Sequence, residues 1–171
     1  YAIPEADSIS FGIYRCGYHG ISVASIAYKI EKWLGVVPER VIVCHLGSGS
    51  SLTALKNGQS FDTSMGFTPL EGLPMGSRVG NIDPGAVVAL GQKKGLSFSE
   101  LEKYFNTECG LLGLSGKTKE VRELLELETR GDKGAKLAID SFVYNIKKYI
   151  GSYMAALGGL DLLVFTATIG E

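Results

Sequence analysis

Several things are scarce in this 171-residue chain, and each scarcity excludes something. It has two histidines, His19 and His45, too few for a histidine-rich metal cage. The three cysteines, Cys16, Cys44 and Cys109, are odd in number and widely spaced, with no C-x-x-C pair. A disulfide framework and a zinc knuckle are both unexpected, and a reducing cytoplasm fits best. Seventeen basic residues against 18 acidic ones leave a formal net charge of -1. No broad basic surface is available for nucleic acid or an anionic membrane. No apolar run reaches the roughly 20 residues that span a bilayer, and no charged-then-apolar leader precedes the first segment. The first residue is Tyr rather than Met, and the last residues form a Gly-containing turn after an apolar run. Both ends are expected to be cuts in a longer protein.

What is present is a composition ordinary for a folded domain, 45% hydrophobic and 20% charged. Apolar positions Val23, Ile26, Ala27, Ile30, Trp33 and Leu34 recur at helical spacing before Gly35, predicting an amphipathic helix. The β-branched run Val41-Ile42-Val43-Cys44 predicts a strand buried on both faces. Ser51 to Leu55 reads as a second strand, and Asn57-Gly58 as a hairpin turn into a third, Gln59 to Thr63. Thr63 to Pro84 is rich in Gly and Pro without period and must be ordered by tertiary contacts. Helices are expected over about 83–94, 97–107 and 117–129, with Ser97 and Glu100 as a capping box and Cys109 to Gly113 as a turn. A longer helix over about 132–157 buries Ala135, Ile139, Phe142, Val143, Ile146, Tyr149, Ile150, Tyr153 and Met154, and Leu160 to Phe165 forms a last strand.

The strongest chemical signal is His45-Leu46-Gly47-Ser48-Gly49-Ser50-Ser51. Glycines let backbone N–H groups approach an anion and serines add donors, so the loop suits a phosphate; a ligand-free hairpin turn is the equal alternative. It lacks the Lys-Ser or Lys-Thr of a P-loop. His45 ends a buried strand, where it can stabilise charge on a transferring group or serve as a satisfied structural histidine. Cys44 and His45 point to opposite strand faces, which excludes them as a nucleophile and base pair. His19 sits just before the first helix, where a helix-entry contact is its ordinary role. Arg78, flanked by Gly76 and Gly80 in the irregular segment, can present its guanidinium to phosphate or carboxylate, or simply lie exposed. Together these suit phosphoryl transfer, which needs positioning and distributed positive charge.

The ordered motifs resemble the acetate kinases and the related propionate and butyrate kinases over the whole chain. Arg15-Cys16-Gly17-Tyr18-His19-Gly20 is similar to the family's Arg-Tyr-Gly-Phe-His-Gly block, and Cys44 to Ser51 to its phosphate loop. Asp62 to Pro84, with Thr63-Ser64-Met65-Gly66 and Thr68-Pro69-Leu70-Glu71-Gly72, is the most specific match. The resemblance implies an α/β fold, a ribonuclease H-like lobe of the actin, sugar-kinase and heat-shock-chaperone ATPase superfamily. Residues 1–171 would be a fragment of the C-terminal lobe, without the N-terminal lobe or the extreme C-terminus. It also implies transfer from ATP, with Mg2+, to a short-chain carboxylate, acetate first among them, giving an acyl phosphate in a cytoplasmic homodimer.

On that resemblance His19, His45 and Arg78 would be catalytic. Gly47, Ser48, Gly49, Ser50 and Ser51 would hold ATP phosphates, with Glu120, Val121, Arg122, Thr168, Ile169 and Gly170 near the adenosine and Tyr18 and Pro69 bordering the acyl pocket. No residue of the chain is expected to ligate a metal. Ser48 stands for the family's Asn, Tyr18 for Phe, Val23 for His, Val121 for Phe and Thr168 for Gly. Tyr18 thereby adds a hydroxyl to the pocket, and Thr168 brings a β-branched side chain to the nucleotide side. The family's catalytic aspartate, second arginine and metal-positioning glutamate would lie outside the chain, leaving this piece inactive alone. A non-catalytic nucleotide-sensing or interaction domain of the same fold is the alternative. A cysteine-dependent hydrolase has no local support.

Overall fold

A computed structural model describes residues 1–170. In chain order the elements are α1 (Glu5–Phe11), α2 (Gly20–Leu34), β1 (Arg40–Leu46), β2 (Ser50–Lys56), β3 (Gln59–Thr63), α3 (Pro84–Lys94), α4 (Phe98–Thr107), α5 (Gly110–Ser115), α6 (Val121–Thr129), α7 (Lys133–Leu157) and β4 (Leu162–Thr166). They fall into two compact units, one of Tyr1–Gly72 with Tyr149–Glu171 and one of Leu73–Lys148.

The first unit carries a four-stranded sheet ordered β3-β2-β1-β4. β1, β2 and β3 run antiparallel in succession, and β4 lies parallel to β1. This is the α/β, ribonuclease H-like lobe expected. The Asn57-Gly58 turn forms as the dipeptide dictates, with φ of 52° and 76°, because the right-handed twist of paired strands favours a turn with two positive φ values. β1 is buried from Val41 to Cys44 on both faces. On one face Val41, Val43 and Leu55 meet Val23 and Ile30 of α2, with Ile26, Ala27, Val37, Leu162 and Val164 at the margin. Burying one such side chain stabilises the fold by about 1.5–3 kcal/mol, so this stripe sets how α2 sits on the sheet. The stripe ends at Ile30. Trp33 and Leu34, expected to bury, are 76% and 58% exposed; they continue the helical period beyond the residues packed against the sheet.

Order in the irregular segment begins on β2, where Ser64 N–H donates to the Leu52 carbonyl and Leu52 N–H to Ser64 Oγ, each at 2.9 Å. Arg15 then gathers the segment, donating to the carbonyls of Thr63 at 3.0 Å and Met65 at 3.1 Å and to Glu71 at 2.5 Å. Tertiary contacts order it, as the absence of period requires. α1 has no counterpart in the sequence reading; it is seven residues long and buries none of them, so no apolar stripe announces it.

The second unit is helical. Asp83 caps α3 by accepting from Ala86 N–H, and Ser97 and Glu100 form the expected reciprocal box at α4. Two expectations change. Cys109 to Gly113 is the start of α5 rather than a turn, because the N–H groups of Leu111 and Leu112 find acceptors in the carbonyls of Met75 and Gly76, each at 2.9 Å. α6 starts at Val121 rather than near Lys117, because Ser115 Oγ accepts from the N–H groups of Lys117 and Thr118 and donates to the Thr118 carbonyl, closing a turn there. In α7 the buried positions are Ala135, Ala138, Phe142, Ile146, Tyr153 and Leu157, while Val143 and Met154 are exposed. The division between the units falls within α7, after Lys148. Among the described residues no helix is long and apolar enough to cross a membrane.

Candidate active site

The alternation of β1 places His45 on the same face as Val41 and Val43, the face that receives α2. Its cross-strand partner is Ser51, followed by Val43 opposite Thr53 and Val41 opposite Leu55. Cys44 points the other way into the core, and burial pushes its thiol up to about 12. It is therefore no nucleophile at neutral pH.

His19 directly precedes α2 with φ of 64°, a left-handed conformation seldom adopted outside glycine. That turn aims its ring back at the sheet. His19 Nδ1 lies 2.9 Å from Ser51 Oγ, and its ring stacks on His45 with centroids 4.0 Å apart and planes 20° from parallel. His45 Nδ1 in turn lies 2.9 Å from Ser22 Oγ, one helical turn beyond His19. Burial lowers the His45 pKa. Two imidazolium rings at this separation would repel by about 4 kcal/mol at an effective dielectric of about 20, so the stack favours neutral or singly protonated states.

Beside the histidines, Gly47, Ser48 and Gly49 connect β1 to β2. Ser50 Oγ donates to the Gly47 carbonyl at 3.0 Å, and Ser51 Oγ is engaged with His19. Ser48 is the exposed serine of the three. His45 Nε2 faces this loop, 3.9 Å from the point a Cβ on Gly47 would occupy. The turn after β4 lies against the loop, since Ile169 N–H donates to the Leu46 carbonyl at 2.8 Å and Ala167 Cβ is 3.5 Å from that same point. Ala167 has φ of 67°, and any side chain at Gly170 would approach the Thr166 carbonyl to 2.5 Å. Thr168 is exposed and Ile169 half-buried. Glu171, the last residue of the expected turn, lies outside the described residues.

Tyr18 precedes His19, and its hydroxyl donates to the Phe67 carbonyl at 3.0 Å. The Tyr18 hydroxyl thus has a main-chain acceptor. Phe67 N–H donates to Tyr1 Oη at 2.8 Å, and Tyr1 donates to Glu71, the carboxylate that also holds Arg15. Pro69 is half-buried within this segment. A cleft of about 340 Å³ opens nearby, lined by Tyr18, Val23, Ala27, Thr53 and Thr63. The Thr63 hydroxyl in it is buried without a hydrogen bond among the described residues.

Arg78, Glu120, Val121 and Arg122 belong to the second unit. Arg78 closes a turn in which Met75 N–H donates to the Arg78 carbonyl at 3.0 Å. The turn is seated on the start of α5, where Gly110 has φ of 60° and a Cβ would come within 2.0 Å of the Met75 carbonyl oxygen. The guanidinium is half-buried, with Nη1 3.7 Å from Met75 Sδ, a weak acceptor. Glu120 precedes α6 and Val121 and Arg122 open it; Glu120 and Arg122 are exposed and Val121 is half-buried. Among the described residues no group of three or more His, Cys, Asp or Glu is placed to hold a metal ion.

The structure thus brings together His19, His45, Ser51, the glycine loop and the turn at Thr168 to Gly170. Sequence reasoning misses Ser22 and the organising role of Arg15. Ser22 lies three residues after His19, but as a polar position it belongs to no apolar period, and the left-handed turn at His19 is what brings both to the same pair of rings.

A family model described as the Acetokinase family matches residues 1–171. The acetate kinase of Dictyoglomus thermophilum is 46% identical over 173 residues, covering all of this chain and 43% of that protein. The crystal structure of Porphyromonas gingivalis acetate kinase superposes with a TM-score of 0.96 at 40% identity, covering all of this chain and 43% of its own. A propionate kinase from Francisella tularensis gives 0.95 at 43% identity, covering all of this chain and 44% of its own. The chain therefore spans less than half the length of the relatives it matches.

Proposed function

This chain belongs to the acetokinase family, and from that premise we propose that the full-length protein transfers the γ-phosphoryl group of ATP to a short-chain carboxylate. A carboxylate oxygen attacks the γ-phosphorus in line, the bond to the β,γ-bridging oxygen breaks, and ADP leaves as the acyl phosphate forms. No proton has to move for this balance. Acetate is the first candidate, since a relative and a structural neighbour carry that substrate in their names; propionate appears in another.

The supporting observation is the stacked pair of imidazoles, each tied at Nδ1 to a serine and standing beside the Gly47 to Gly49 loop. Such a pair supplies preorganised donors where negative charge spreads over the transferring group. His19 and His45 are assigned to that charge, as is Arg78 from its turn. The loop from Gly47 to Ser51 is assigned to the ATP phosphates, with Ser48 as its exposed hydroxyl and Gly49 leaving the backbone bare. Thr168, Ile169 and Gly170, beside that loop, and Glu120, Val121 and Arg122 are assigned to the nucleoside. Tyr18 and Pro69 border the acyl group. Mg2+ would arrive with ATP; the chain's own contribution is donors and positioning. The remaining catalytic groups are assigned to the longer protein, a cytoplasmic homodimer, and the present 171 residues to its C-terminal lobe.

Trapping the product as a hydroxamate tests this. Full-length protein with Mg-ATP and acetate, propionate or butyrate should yield acyl hydroxamate, and the isolated chain should yield none. Full-length protein that binds nucleotide but forms no hydroxamate with any of the three acids would favour a nucleotide-sensing domain instead.

A further inference from the structure

Both histidines of the site meet a serine hydroxyl at Nδ1, at 2.9 Å in each case. Heavy-atom positions alone leave the proton unassigned, because a hydroxyl and a ring nitrogen can each donate. The surroundings assign it. Ser51 is fully buried in β2, and among the described residues its hydroxyl bonds only to His19. Were His19 protonated at Nδ1, Ser51 would accept that proton and its own O–H would be buried without an acceptor, a costly arrangement. With Ser51 donating, both atoms are satisfied, and the single proton of a neutral imidazole sits on Nε2. Ser22 is half-buried, and among the described residues its hydroxyl bonds only to His45, so donation to Nδ1 satisfies both atoms here too. Its geometry adds a direction, since His45 Nε2 faces the glycine loop.

We propose that Ser22 and Ser51 are positioning residues that hold His45 and His19 as Nε2–H tautomers. The stacked pair then presents two neutral N–H donors, that of His45 toward the loop. In this role each serine acts through its imidazole. The use of these donors rests on the phosphoryl-transfer reading, whereas the tautomers rest on hydrogen bonding alone.

Long-range proton–nitrogen correlation spectra of the full-length protein, labelled with nitrogen-15 in histidine and recorded above neutral pH, read the tautomers directly. Both rings should be protonated at Nε2. Ser22→Ala should shift His45 toward a tautomer mixture and leave His19 unchanged, and Ser51→Ala should do the reverse. Ser22→Ala should lower kcat about tenfold with each KM within about twofold, as loss of a partner that orients a functional imidazole does. Ser22→Thr, which keeps the hydroxyl, should restore both the spectrum and kcat. Either ring protonated at Nδ1 in the unsubstituted protein overturns the proposal, as do unchanged tautomers in both alanine variants. A variant that fails to fold leaves the unsubstituted spectrum to decide. Expected spectra in a protein without kinase turnover would uphold the tautomers and remove the phosphoryl-transfer reading.

Discussion

The two units hold their candidate residues in different ways. In the sheet-bearing unit the side chains position one another: His19 rests on Ser51 and on the His45 ring, and His45 on Ser22. In the helical unit the main chain does the positioning, for Arg78 is presented by a turn whose carbonyls are bound to α5, while its guanidinium has a weak thioether acceptor in Met75. The first arrangement makes chemistry depend on mutual contact, so substitutions there should couple. The second makes it depend on backbone shape, so adding one carbon atom should cost more than removing a whole side chain.

The largest expected effect tests the second half of that contrast. Gly110→Ala places a Cβ 2.0 Å from the Met75 carbonyl oxygen and 2.5 Å from that of Arg78, at a φ of 60°. Neither carbonyl can yield without losing the hydrogen bonds that seat the turn, so denaturant unfolding should show a loss of about 3 kcal/mol or more. Arg78→Ala should cost about 1 kcal/mol or less in the same assay, since no strong partner is left behind. Equal losses would erase the distinction between the units.

Coupling in the sheet-bearing unit comes next. His19→Asn and His45→Asn should each lower the kcat of the full-length protein about 100-fold, the scale for losing one positioned donor. Because each ring is half of one stack, the double variant should fall little below either single one. Strictly multiplicative losses would show two independent histidines and break the comparison from the other side.

This contrast also explains what is legible in the sequence. Local chemistry writes β1 through its β-branched run, the β2–β3 hairpin through Asn57-Gly58, and α4 through its capping box, and all three form. The glycine loop and His45 are found for the same reason, lying at the end of a readable strand. α5 is hidden because its first N–H groups are satisfied by Met75 and Gly76, more than thirty positions earlier in the chain. The exposure of Trp33 depends on where packing against the sheet stops, which helical period does not encode. Ser22 is hidden because periodicity marks apolar positions, and its value appears only once the left-handed turn at His19 stacks the two rings.

Tyr18 yields the smallest effect and the sharpest test of the pocket. From the sequence, a hydroxyl added beside the acyl group should alter which acid is accepted, because a site built to bond a polar group discriminates strongly against partners lacking it. In the structure that hydroxyl donates to the Phe67 carbonyl at 3.0 Å, on a tyrosine that is 38% exposed. A bond so placed contributes about 0.5–1.5 kcal/mol to stability, and water can replace the lost donor at a partly exposed carbonyl. Tyr18→Phe should therefore unfold at nearly the same denaturant concentration and keep the order of kcat/KM among acetate, propionate and butyrate. A reordering of the three acids would mean that the hydroxyl leaves Phe67 when substrate binds. That would place the specificity of the pocket on a movable side chain.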